Sequence, residues 1–209
     1  MQMEMNKAMK MFVKNEVASA SARWIYQAMS VLQAENKEKT IKDFLDELEE
    51  GISDERVCYL QITLLRYRTS QKRPFYQIRT FGPEFYLASP LDEKEVGWDW
   101  LYEPYYRFCE EITASSKKYV MQISNENLSQ LCLLELEETK PIIRRMFQES
   151  LFGILTGQTF QREASKRDIS FHLSDYMGEY ESLLVLNDQT KETGEWLNGV
   201  FQNYSGNKI

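Results

Sequence analysis

One histidine, His172, stands among 209 residues. A histidine-rich metal site is thereby excluded, and histidine-dependent chemistry has a single candidate. Cysteine is scarce as well. Cys58, Cys109 and Cys132 make an odd number, with no CxxC spacing and no Cys/His cluster. That pattern argues against a disulfide framework and for a reducing compartment. The nine glycines are scattered and form neither GxGxxG nor GxxxxGKS/T, which removes the common nucleotide-binding loops. HExxH, GxSxG and Asp-rich calcium loops are missing too. No apolar run reaches the roughly 18 residues of a membrane span. The start, Met1 to Lys7, lacks the basic-then-apolar layout of a signal peptide. Basic charge is also in deficit: Lys and Arg total 25 against 32 for Asp and Glu, a net charge of -7. An acidic surface repels phosphate backbones and anionic lipid and suits a basic partner. The expectations are a cytoplasmic protein with no cofactor, no metal and no membrane contact, for which nucleic acid is a poor partner.

What is present suffices for a folded chain. Hydrophobic residues make up 43% and charged ones 27%, ordinary values for a globular protein. A chain of this length buries roughly 70% of its extended surface. Residues 5–34 read as one long helix, with Val13, Val17, Ala20, Trp24, Ala28 and Val31 in a stripe. The small residues Ala18, Ser21 and Ala22, beside Trp24, would make a homodimer seam along it. Thr40 is expected to cap a helix that carries Ile41, Phe44, Leu45 and Leu48 and stops at Gly51.

A three-strand meander follows over 57–88. On its first strand Cys58, Leu60, Ile62 and Leu64 point one way, and Tyr59, Gln61, Thr63, Leu65 and Tyr67 the other. Its second strand is Pro74 to Phe81 and its third Glu84 to Ala88, and Ser89 to Gly97 reads as a charged loop. A ring-rich helix, kinked near Pro104, begins at Trp98. A short strand is expected over Tyr119–Ile123. A helix capped at Ser124 or Asn125 and another starting at Thr139-Lys140-Pro141 come next. Gln158 to Lys166 reads as a polar linker. A hairpin over 168–187 precedes a last helix, capped by Asp188 or Thr190, with Trp196, Leu197, Val200 and Phe201 inward. Helices and strands do not alternate regularly, which predicts an α+β fold with antiparallel sheet, meander and hairpin sharing one sheet. One domain is expected over 1–209, fraying at 205–209, with the neighbourhood of residue 157 as the candidate boundary.

Four groups of residues invite a functional reading, and each has a plainer one. His172, with Asp175 near it, could act as general base toward a thiol, Cys109 or Cys58, in a small cysteine hydrolase. The plainer and preferred view is an ordinary half-exposed strand histidine. The acids Asp92, Glu93, Glu95, Asp99 and Glu103 flank Trp98 and Trp100, ingredients of sugar cleavage, but alternating loop charge usually serves solvation. The basic run Arg66, Arg68, Lys72, Arg73 and Arg79, interleaved with Tyr67, Phe75 and Tyr76, could hold phosphate or an oligonucleotide. It could also neutralise Asp43 to Glu55, a stretch with seven acids and no base. Last are the rings of Trp98, Trp100, Tyr102, Tyr105 and Tyr106, which fall on both sides of a helix. One side packs on the sheet and the other is free for a protein partner, since Tyr and Trp dominate binding hot spots. Their alternative role is a core wedge. The leading expectation is a non-enzymatic interaction protein, of the adaptor, regulatory or inhibitor kind, with an acidic and aromatic surface.

Overall fold

The computed structural model describes residues 7–35, 37–119, 122–176 and 178–205. The N-terminal helix has an α segment α1 (Lys7–Phe12), a π turn (Val13–Val17) and a second α segment α2 (Ala18–Ser30). The extra residue of the π turn lets Phe12 and Val17 share one buried side with Ala20, Trp24 and Ala28. Ser21 and Trp24, half of the expected dimer seam, are engaged inside the chain. The Ser21 hydroxyl donates to Glu135 at 2.6 Å and the Trp24 indole to the same oxygen at 3.2 Å. Ala18 and Ala22 remain exposed.

Helix α3 (Lys37–Gly51) buries Thr40, Phe44 and Leu48. Thr40 lies within the helix instead of capping it. Gly51 ends α3 for a reason other than turning: a Cβ there would lie 2.7 Å from Leu60 Cδ1. A larger residue there would push the Leu60 side chain aside, so glycine lets the helix press closely on the sheet.

The strands are β1 (Tyr59–Leu64), β2 (Tyr76–Phe81), β3 (Asp92–Glu95), β4 (Ile169–Asp175) and β5 (Tyr180–Leu186). They form a single sheet in the order β3-β2-β1-β4-β5, so the two strand groups do share it. The fold is α+β, and the sheet is mixed rather than wholly antiparallel, because β1 and β4 run parallel with Leu60 opposite Phe171. Long helical connections separate those two strands in the chain, which is what a parallel pair requires.

The expected third strand, 84–88, is instead a 3-10 turn at Phe85–Leu87. The third strand is the charged segment read as a loop. As an edge strand it has charge on both faces, which discourages pairing with other chains. Cross-strand ion pairs fix it: Arg79 to Glu93 on one face, and Lys94 to Glu47 and Glu50 of α3 on the other.

Helix α4 (Asp99–Ser116) runs unbroken through Pro104. The expected strand at 119–123 falls partly outside the described residues, and Lys117–Tyr119 is a 3-10 turn. Helix α5 (Asn125–Glu135) starts with a reciprocal Ser124/Asn127 capping box, and α6 (Thr139–Thr156) follows. The presumed linker is helix α7 (Gln158–Ala164), with Phe160, Glu163 and Ala164 buried. Its pattern hides in the sequence because one inward residue is an acid. Glu163 is neutralised by Arg162, Lys166 and Arg167, and Arg167 also donates to the carbonyls of Ile52, Asp54 and Val57.

In α8 (Asp188–Ser205) the cap is Asn187, reciprocal with Thr190. Trp196 is exposed, not inward. The inward position is Gly194, where a Cβ would lie 1.8 Å from the Leu155 carbonyl. Trp196 lies two residues further on, about 200° around a helix of 3.6 residues per turn. Ser205 is the last residue of α8, and the side chains of Val200 and Phe201, like 206–209 of the tail expected to fray, lie outside the described residues.

Candidate binding surface

Period-two alternation divides the sheet into two unlike faces. Leu60, Ile62, Leu64, Tyr76, Ile78, Phe171 and Leu173 form the face that carries the main core. The helices reach the sheet on this side. Besides the α3 ion pairs, the Tyr76 hydroxyl bonds to Thr139 at 2.8 Å, and Arg144 holds Glu181. Burial pushes the Tyr76 phenol well above its ordinary range.

The opposite face carries Tyr59, Gln61 and Thr63 of β1, Gln77, Arg79 and Phe81 of β2, and Ser170, His172 and Ser174 of β4, which sit side by side in register. Gln61, Thr63, Gln77, His172 and Ser174 are nonetheless buried. The cover is aromatic. Phe85 stacks on Tyr59 at 4.3 Å and lies 5.4 Å from Phe81, 5.6 Å from His172 and 5.6 Å from Tyr180. Phe85 holds a φ of 48° to do so, a conformation costing roughly 1–2 kcal/mol for a residue with a Cβ. Its four ring contacts offset that cost. Arg79 lies under the rings of Phe81 and Tyr176, 5.3 Å from each centroid, and its charge is met by Glu93. Tyr67 meets Tyr176 edge-on at 6.4 Å.

The outer layer of this aromatic cover is wet. Tyr67, Tyr176 and Tyr180 are each about half exposed, and Leu87, in the turn that carries Phe85, is 92% exposed. Acids stand beside these side chains. Glu84, next to Phe85 in the chain, and Glu179, next to Tyr180, are exposed and have no ion pair among the described residues. The nearby cations are matched, Arg68 to Glu95 and Arg79 to Glu93.

The helix-side rings behave otherwise. Trp98, Tyr102 and Tyr105, offered by the sequence as partner-binding, are sealed in the core. Phe75 lies at their centre, 4.7 Å from Tyr102 and 5.1 Å from Tyr105 in edge-on contacts. The Tyr102 hydroxyl donates to the Val96 carbonyl at 2.8 Å. Burial drives both tyrosines far above the ordinary phenol range. The rings turn inward because β2 and the α2 helix flank α4 on two sides, so that Trp24 meets Tyr105 at 5.7 Å. Trp100 and Tyr106 are half-buried. The Tyr106 hydroxyl donates to the Arg73 carbonyl, and burial lifts its pKa to about 12.

The hydrolase constellation is not assembled. His172 lies among Tyr59, Phe85 and Tyr180 on the outer face. Among the described residues neither of its ring nitrogens has a hydrogen-bond partner, and burial lowers its pKa below 6.5. Asp175 is engaged by Arg66 and Lys140. Cys58 precedes Tyr59 and so belongs to the helix-side face. Cys109 is on α4, beside Cys132. Each cation of the basic loop is matched as well: Arg66 to Glu137 and Asp175, Arg68 and Arg73 to Glu95, Lys72 to Glu110. The acids involved are not those of Asp43 to Glu55. Among the described residues no group of three His, Cys, Asp or Glu is placed to hold a metal. No helix of the described residues is long and apolar enough to cross a membrane.

The wet rings of the outer face escaped the sequence reading, although a signal was present. Tyr59-x-Gln61-x-Thr63, Gln77-x-Arg79 and Ser170-x-His172-x-Ser174 each place polar side chains at every second position. No family model, no curated protein and no solved structure matches the chain.

Proposed function

We propose that the protein is a non-enzymatic interaction protein that receives a basic protein partner on the outer face of its sheet. The observation that carries this reading is the patch of Tyr67, Tyr176, Tyr180 and Leu87, bordered by the acids Glu84 and Glu179, which have no ion pair among the described residues. Tyrosine buries a large area at small entropic cost, and unpaired acids steer and select a cationic partner. The buried polar layer beneath is held by cross-strand contacts such as Thr63 to Ser174 at 3.2 Å, so the rings rest on a rigid support. An adaptor, a regulatory subunit or an inhibitor of a basic enzyme would each use such a surface. An oligonucleotide fits less well, because Arg66, Arg68, Lys72 and Arg73 are all matched by acids.

A photo-reactive residue replacing Leu87 in the whole protein, expressed in its own cells, tests the reading. A basic protein should be captured. Its affinity for the purified protein should fall at least about tenfold, roughly 1.4 kcal/mol, on Leu87→Asp or Tyr180→Ala. It should weaken with salt and be unchanged by Trp196→Ala on α8. A nucleic acid captured instead, or affinity indifferent to Leu87 and Tyr180, overturns the proposal.

A further inference from the structure

A cavity of about 690 Å³ opens between the Arg66–Gln71 turn, α4 and α5. Its wall includes Tyr105, Tyr106, Leu128, Cys109 and Cys132. Two of the three cysteines of the chain thus meet in one solvent-reachable recess, one from each helix, and both are partly exposed. Cys58 does not line it. The Tyr105 hydroxyl donates to the Cys132 carbonyl at 2.8 Å and lies against the Cys109 thiol, which fixes the helices where the sulfurs meet.

We propose that Cys109 and Cys132 are a disulfide-forming pair, a modification site on the cavity wall whose reactant is a low-molecular-weight disulfide. The Cys109 thiol lies against the Cys132 thiol, and this neighbour favours the Cys132 thiolate. That same contact, together with burial, pushes the Cys109 thiol up. Cys132 is therefore the first nucleophile. Its thiolate attacks one sulfur of the small disulfide, forming a mixed disulfide and expelling one small thiolate. Cys109 then gives up its proton, and its sulfur attacks Sγ of Cys132. The Cys109–Cys132 bond forms, the mixed disulfide breaks, and a second small thiolate leaves. The two protein protons end on the two small thiols. The pair of cysteines is oxidised and the small disulfide is reduced. The product staples α4 to α5 across the cavity wall.

The test treats the whole folded protein with oxidised glutathione at mildly alkaline pH, then quenches, denatures and alkylates. Alkylatable thiols should fall from three to one, and the protein mass should drop by two hydrogens. After trypsin digestion, the peptide beginning at Phe108 should be joined to the one beginning at Tyr119. Cys58→Ser should form the same link with no thiol left over. Cys109→Ser should stop at a glutathione adduct on Cys132. If that variant fails to fold, the wild-type peptide map alone still decides. Three alkylatable thiols after treatment, separate glutathione adducts on Cys109 and Cys132, or a link through Cys58 would each overturn the proposal.

Discussion

Replacing His172 with phenylalanine probes the outer face at its least satisfied point. The imidazole is buried, stands 4.9 Å from Tyr180 and 6.0 Å from Tyr59, and finds no hydrogen-bond partner for either nitrogen among the described residues. A buried polar group without a hydrogen bond costs about 1–3 kcal/mol. Phenylalanine keeps the flat ring and removes both nitrogens, at the cost of one extra ring atom. Crowding in a closed core costs about 1–3 kcal/mol, but here Tyr180 is half exposed and can give way. The expected balance is a gain of about 1 kcal/mol, a rise in Tm of about 2–4 °C for a protein of this size.

A pH arm sharpens the test. Burial lowers the folded pKa of His172 below 6.5, so the unfolded chain binds more protons in the interval between the two values. The contribution of His172 to stability is therefore complete above pH 6.5 and declines as pH falls toward the folded value, by at most about 1.4 kcal/mol per pH unit. Glu110, Glu149, Glu163 and Glu181 have pKa values lowered from 4.5 by cationic partners, and for Glu163 those partners outweigh an opposing burial effect. They titrate below this window. With no other histidine in the chain, the slope between pH 6.5 and 5.5 reports on residue 172. Urea unfolding of wild type and variant at pH 7.5, 6.5 and 5.5 should show a slope in the first and its loss in the second. A variant less stable by more than about 1 kcal/mol at pH 7.5 would mean that the nitrogens have partners, because orphaning those partners has a cost of that size, and a slope retained in the variant would mean that a group other than His172 titrates in this window.

Two further perturbations address the interior. Glu163→Ala should cost about 3–5 kcal/mol at neutral pH, since it strips the buried partner of Arg167 while the guanidinium remains only 12% exposed. The folded pKa of Glu163 lies below 4.5, so the deficit should persist above that value and shrink as pH falls through the folded pKa; urea midpoints at pH 7 and below 4.5 measure it, and an unchanged midpoint at pH 7 refutes it. Tyr105→Ala should cost about 3–5 kcal/mol, as removal of a fully buried ring does, whereas Trp100→Ala should cost clearly less; equal denaturation midpoints for the two would contradict the core placement of Tyr105.

Backbone pattern was legible where a single segment suffices to reveal it. The alternation of Cys58 to Leu64, the Ser124 cap and the stripe of α6 are each visible within about ten residues, because side-chain direction follows directly from local geometry. Two segments misled for one shared reason. Asp92–Glu95 is a strand, and Gln158–Ala164 a helix, through charges neutralised by residues elsewhere in the chain. Arg79, Glu47 and Glu50 do this for the former. For the latter, Arg167 completes the set around Glu163.

The α+β class, the acidic balance and the wealth of rings were determined by the sequence itself, since composition and periodicity need no partner to be read. Which rings stay wet was decided only by the tertiary structure. Burial is a property of what lies opposite a side chain, and Phe75, Trp24 and the helix-side core lie opposite the rings of 98–108. Across the sheet, Phe85 and Tyr176 cover the polar layer, and beyond Tyr67, Tyr180 and Leu87 there is water.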